Sequence, residues 1–244
     1  MVFHVRTPII VAVALLAVFT TSTHATVITM SANAPVVDGA DLANLTQDTA
    51  FEDFQSSFEW PDRGARGQTF TTGGNVPGYT LNAITVQSDK TTVGSASYRV
   101  RVGSVSGTSF TSFTPETGNF GAVADNEFVT FTLDTPLLLS ANTVYGFDIG
   151  LFSPSPNAFA TVGWQLRNNT GQFAGGQRYT STGPTQETRY LGSGTVSFHN
   201  PADSDRIFHL DLTANSTGAV PEPATATIAL FGLGGLMMRR WRIA

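Results

Sequence analysis

In five stretches of this chain apolar and polar residues alternate one for one, and that period limits what it can fold into. Tyr98, Val100 and Val102 alternate with Arg99 and Arg101, and Val129, Phe131 and Leu133 alternate with Thr130 and Thr132. Tyr145, Phe147, Ile149 and Leu151 alternate with Gly146, Asp148 and Gly150. Ala160, Val162 and Trp164 alternate with Thr161 and Gly163, and Phe208, Leu210 and Leu212 with His209 and Asp211. Successive side chains of a strand point to opposite faces, so each stretch predicts a strand with one face buried and the other solvated. A helix cannot gather residues of this spacing on one side. Weaker strands fit 27–30, 51–60, 67–72, 81–88, 178–180 and 195–199, with Gly-, Pro- and Asn-rich breaks at 73–78, 115–121, 153–157 and 192–194. Only Ala40–Ala50, entered from Asp38 or Asp41 and carrying Leu42 and Leu45, suggests a helical turn. Many short strands joined by turns predict an all-β fold, an antiparallel β-sandwich of jelly-roll-like form. Its expected core holds Val129, Phe131, Leu133, Phe147, Ile149, Trp164, Phe208 and Leu210.

Both ends of the chain read differently from this body. His4 and Arg6, the apolar run Ile9–Phe19 and the small-x-small Thr23-His24-Ala25 form the pattern of a secretory signal peptide cleaved after Ala25. An uncleaved anchor is the alternative. At the other end, Pro221-Glu222-Pro223 is followed by an apolar run from Ala224 to Met238 and by Arg239, Arg240 and Arg242. The prolines keep Glu222 in an extended segment outside any helix. The apolar run is about 22 Å long as a helix, short of a full span, and Thr225, Thr227 and snorkelling arginines extend it. Under the positive-inside rule the arginines act as a membrane stop in the cytoplasm, with Trp241 in the interface.

This order of Pro-Glu-Pro, Gly-containing apolar run and terminal arginines resembles the PEP-CTERM sorting tail of Gram-negative, biofilm-forming bacteria. The resemblance covers only residues 220–244. It implies an exosortase as partner, recognition of Pro221, Glu222 and Pro223, transient anchoring in the inner membrane by a transmembrane-like helix, and release to the cell surface or extracellular matrix. A plain C-terminal anchor is the alternative. The expected organisation is therefore a signal peptide (1–25), a β-sandwich domain (26–213), a polar linker (214–219) and the sorting tail (220–244). Two further segments carry generic likenesses. Arg66–Thr72 followed by Tyr79–Val86 resembles an early hairpin of exported PEP-CTERM proteins. Leu137–Phe147 resembles the strand–turn–strand of carbohydrate-binding and bacterial surface sandwiches.

What the body does is less legible. It has no cysteine, which removes disulfides and thiolate chemistry, so its core alone must hold it together. Between residues 26 and 219, nine basic side chains stand against 17 carboxylates, a net charge of −8. That balance argues against nucleic acid as a partner. Only His199 and His209 follow the signal segment; His209 lies on the polar phase of its strand and reads as solvated. Neither HExxH nor GxSxG occurs. Glu52 and Asp53 point to opposite faces of a strand, and Asp203-Ser204-Asp205 reads as a solvated turn. A stabilising Ca²⁺ in a sandwich loop is compatible with the fold class. Trp60 with Tyr79, and Trp164 with Gln165, Arg167, Asn168 and Asn169, are the candidate glycan contacts, against a core reading for the same aromatics. The sequons at Asn44, Asn168 and Asn215 are chance-level patterns. The expectation is a non-enzymatic surface or matrix protein associated with exopolysaccharide, with a glycan-binding module or an exported hydrolase as its rival.

Overall fold

The computed structural model describes residues 26–45, 64–88, 97–113, 115–119, 122–152, 166–168, 173–182, 193–199 and 204–216. Among these residues every regular element is a strand. In chain order they are β1 (Val27–Ser31), β2 (Leu42–Asn44), β3 (Arg66–Thr71), β4 (Tyr79–Gln87), β5 (Ser97–Ser106), β6 (Ser109–Ser112) and β7 (Glu116–Asn119). They continue with β8 (Phe128–Leu139), β9 (Val144–Phe152), β10 (Leu166–Asn168), β11 (Arg178–Thr182), β12 (Gly194–Phe198), β13 (Ser204–Arg206) and β14 (Phe208–Ala214).

Five strands form an antiparallel sheet in the order β1-β8-β4-β14-β2. Its register places Ile28, Phe131, Ile84, Leu210 and Leu42 in one row across all five strands. A second sheet runs β6-β12-β11-β3-β9-β5, and β6 also pairs with β5, so these six strands close into a ring. β7 occupies the free part of the same β5 edge, at Ser97–Val100. The row Ile28–Leu42 packs onto the wall made by β3, β9 and β5. Phe70, Tyr98, Val100, Val102, Tyr145, Phe147 and Ile149 meet it there in one continuous core. Phe131 packs edge-on against Tyr98 at 5.0 Å between ring centroids, and Phe208 lies 5.6 Å from Phe147.

Closure gives β5 and β9 a second buried face. Phe110, Tyr179 and Val196 fill the inside of the ring, with Val105 and Phe198 against them. A six-stranded ring leaves little room for side chains, and glycine supplies what there is. A Cβ on Gly67 would stand 2.2 Å from the Tyr179 ring, and one on Gly103 would stand 2.9 Å from Phe110. Also inside are Arg101 and Asp148, 1% and 0% exposed and directly opposite each other on β5 and β9. Arg101 Nε donates to Asp148 Oδ1 at 2.7 Å, and its Nη2 donates to Oδ2 at 2.6 Å and to Ser181 Oγ at 2.5 Å. Ser181 Oγ donates in turn to Asp148 Oδ2 at 2.7 Å, and the guanidinium carbon sits 5.0 Å over the Phe110 ring. Burial alone would lower the Arg101 pKa, but the Asp148 charge and hydrogen bonds outweigh it and raise it.

The two sheets are also tied through polar groups. The β4–β8 pairing is irregular opposite Asn82, where β8 passes Leu133 to Pro136; proline has no N–H for a ladder. Glu116 of β7, itself buried, takes up two N–H groups at that irregularity, Asp134 at 3.0 Å and Thr135 at 3.4 Å. Tyr98 Oη donates to the carbonyl of Thr26 at 3.1 Å, fastening the start of β1 to β5.

The all-β, antiparallel expectation holds, and so do the seven expected core residues that are described; Trp164 lies outside the described residues. Several expectations are corrected. Instead of a jelly-roll-like sandwich of two packed sheets, one sheet closes into a barrel, because β6 pairs on both of its edges, with β5 and with β12. Leu42–Asn44 is a strand rather than part of a helical turn, drawn into the ladder by β14. The break expected at 115–121 contains β7. β3 and β4 form no hairpin with each other; the intervening loop carries the chain from one sheet to the other. Arg101, Asp148 and His209, expected on solvated faces, are buried.

Two stability measurements follow. Phe131→Ala and Phe147→Ala should each cost roughly 3–5 kcal/mol in urea unfolding, since both side chains are fully buried. Arg101→Met should cost about 3–5 kcal/mol by stranding the Asp148 carboxylate, and Asp148→Leu added to it should restore most of that loss.

Candidate functional site

The residues singled out for sorting, Pro221, Glu222, Pro223, Arg239, Arg240 and Arg242, lie outside the described residues, as do Trp60, Trp164 and residues 1–25. What the structure does show is the place from which the tail leaves. β14 lies between β4 and β2, inside the sheet, and its last residue, Ala214, pairs with Tyr79. The next residue, Asn215, has all four of its polar groups bonded. Its N–H donates to the Gly78 carbonyl at 3.0 Å, and its carbonyl accepts from Asn75 Nδ2 at 2.9 Å. Its side-chain Oδ1 accepts from Thr80 Oγ1 at 2.7 Å, and Nδ2 donates to the Pro77 carbonyl at 3.3 Å. The loop that does this is a tight turn. Gly78 has φ +84°, and a Cβ there would lie 2.2 Å from the Leu139 carbonyl oxygen. The same loop bonds the β8–β9 turn, where Asn142 N–H donates to the Gly73 carbonyl at 2.9 Å. The chain is therefore clamped to one end of the domain immediately before the polar stretch 216–219.

The ionisable residues weighed from the sequence are spread apart. His209, on the five-stranded sheet, is 5% exposed, and its Nε2 is 2.9 Å from Asp41 Oδ2. Asp41 Oδ1 also accepts the Leu212 N–H at 2.9 Å, so the segment entering β2 is pinned beside β14. His199 follows β12 on the other sheet; its Nε2 is 2.9 Å from Thr180 Oγ1, and its carbonyl accepts from Gln177 Nε2. Asp205 lies in β13 and is buried, rather than in a solvated turn, because Gln68 Nε2 and the Phe173 N–H donate to its two oxygens at 2.9 and 2.8 Å. Asn44 is buried, its Nδ2 donating to the Arg206 carbonyl at 2.8 Å, and Tyr79 is a core residue. Glu52, Asp53 and Asp203 lie outside the described residues. Among the described residues no three His, Cys, Asp or Glu side chains gather to hold a metal ion, and no helix is long and apolar enough to cross a membrane. Sequence reasoning missed the Asn215 clamp. Its only sign was the density of Asn, Pro and Gly at 73–78, which marks a tight turn without saying what the turn holds.

Burial raises the Asp41 pKa, but the Leu212 and Asp38 N–H groups and His209 outweigh it, so the carboxyl titrates below its ordinary value of 3.8. A lowered folded-state pKa contributes stability above the unfolded value and loses it as pH falls through the folded one. Below about pH 4, acid unfolding of Asp41→Asn should therefore show a shallower pH dependence than the parent protein, measured as urea midpoint against pH.

Comparison with protein families matches residues 219–242 to the PEP-CTERM protein-sorting motif. No curated protein and no solved structure matches the chain. The matched segment begins four residues beyond the Asn215 clamp and contains Pro221, Glu222, Pro223 and all three terminal arginines. The chain thus carries a C-terminal PEP-CTERM sorting motif, the mark of an exported protein that exosortase sorts with transient passage through the membrane.

Proposed function

We propose that this chain is a non-enzymatic protein of the cell surface or extracellular matrix, structural in role and associated with exopolysaccharide. The observation that carries the reading is the sorting motif at 219–242 behind a cysteine-free β domain whose fold ends at a fixed point. A large core, a closed ring and a buried ion pair make such a domain independent of disulfides. Its exposed strand positions support the same reading. Thr29, Ser31, Thr132, Thr195 and Thr213 are exposed, an uncharged polar surface suited to a hydrated polysaccharide gel. The tail delivers the domain, and exosortase recognition of Pro221-Glu222-Pro223 frees it.

Intact mass and fractionation of the native protein, with and without the exosortase, test the delivery. Expected are an N-terminus at Thr26 and loss of residues 224–244 only where the enzyme is present. Retention of the tail in both strains would leave a plain membrane anchor. A glycan array with the processed protein, with and without Ca²⁺, tests the role. The structural reading expects a silent array together with loss of matrix cohesion in a deletion strain. Micromolar binding of one glycan, abolished by Trp60→Ala or Trp164→Ala without unfolding, would replace it with a lectin.

A further inference from the structure

The end of the domain that clamps Asn215 is built from uncharged segments. Three described segments converge there: residues 71–80, 136–145 and 213–216. None contains Asp, Glu, Lys, Arg or His, in a body whose net charge is −8. Three of the six most exposed large apolar side chains among the described residues belong to these segments: Val76 at 89%, Leu138 at 77% and Val144 at 43%. Val76 sits between Asn75 and Pro77, both bonded to Asn215. Leu138 is the cross-strand partner of Thr80, whose hydroxyl binds the Asn215 side chain. The exposed apolar groups therefore surround the exit point itself.

From Ser216 to Ala224, where the apolar run begins, only seven residues intervene. Fully extended, that connection reaches no more than about 28 Å, and the two prolines stiffen it. With the clamp closed, a tail in the bilayer brings this end of the domain nearest to the membrane surface. An acidic body is repelled by anionic headgroups, whereas these three uncharged segments with protruding Val and Leu side chains meet the interface without that cost. The acidic groups on this side, Asp41 and Asp38, lie beside Leu212 on the β2 flank of β14. We propose that this end, through Val76 and Leu138, rests on the outer surface of the bilayer while the tail is still attached, and that tail removal releases the contact. The inference rests on the sorting reading above and adds the domain's orientation to it.

The absence of cysteine makes the test direct. Val76→Cys, Leu138→Cys and, at the opposite end of β4, Ala124→Cys each take a nitroxide label in the full chain; Leu233→Cys reports the tail. The chains are reconstituted in vesicles of phosphatidylethanolamine and phosphatidylglycerol, and circular dichroism confirms that each is folded. Expected is stronger relaxation by lipid-soluble oxygen than by an aqueous nickel chelate at 76, 138 and 233, with the reverse at 124. Aqueous signals at both 76 and 138 with a lipid signal at 233 overturn the proposal and leave the sorting reading standing. A signal at 124 matching those at 76 and 138 also overturns it, since the contact then has no preferred end. Protection of 76 and 138 only when exosortase is reconstituted alongside assigns this end to the enzyme and overturns contact with the bilayer. An aqueous signal at 233 overturns both readings.

Discussion

Arg101 and Asp148 stand opposite each other on β5 and β9, inside a ring that shuts both off from bulk solvent. Two charges in such a place are stable only together, with the remaining donors and acceptors filled, and here Ser181 of β11 and the face of Phe110 of β6 complete the set. The arrangement therefore needs four strands in fixed register at once. A slip of one residue in β5 or β9 would turn Arg101 or Asp148 to the other face, among Phe131, Phe147 and Phe208. Hydrophobic burial supplies most of the driving force for folding, but it tolerates approximate matches; the ion pair does not. It is best understood as what selects this closed ring among other ways of pairing short strands. The Tyr179 phenol in the same interior is held well above its ordinary pKa by burial and by the Asp148 charge, and stays neutral.

The long strands were legible because their apolar phase is regular. β5, β8, β9 and β14 lie where the alternation puts them, and their apolar residues form the shared core. The opposite phase misled. Arg101, Asp148 and His209 have the residue types of a wet face, yet β5 and β9 turn their second face into the ring, and His209 is covered together with Asp41. Periodicity reports how residues divide between two faces, not whether both faces are dry. The missed strands, β2, β6, β7, β10 and β13, have three or four residues each. Segments of that length carry no period of their own, and a neighbour with an open edge recruits them. Asp205 was misread for the same reason: its partners Gln68 and Phe173 are distant in sequence.

The sorting motif was fully legible, since its meaning lies in local order: two prolines around a glutamate, an apolar run, then arginines. The way the domain meets that motif was not. Asn215 reads as one polar residue among several, and only the fold brings Asn75, Pro77, Gly78 and Thr80 to it from over a hundred residues away. The domain and its address are thus joined at a fixed point, and the linker proper is correspondingly short.

The place of β14 in the five-stranded sheet also bears on the order of events during export. A chain delivered from its N-terminus presents β1, β2, β4 and β8 long before residues 208–214 arrive. Until they do, β4 and β2 share no neighbour, and Ile84 and Leu42 lack the Leu210 that lies between them. Of the described strands, β14 is the last made, and it joins β2 to the three strands β1-β8-β4. The sorting motif at 219–242 thus emerges only after the strand that completes the sheet.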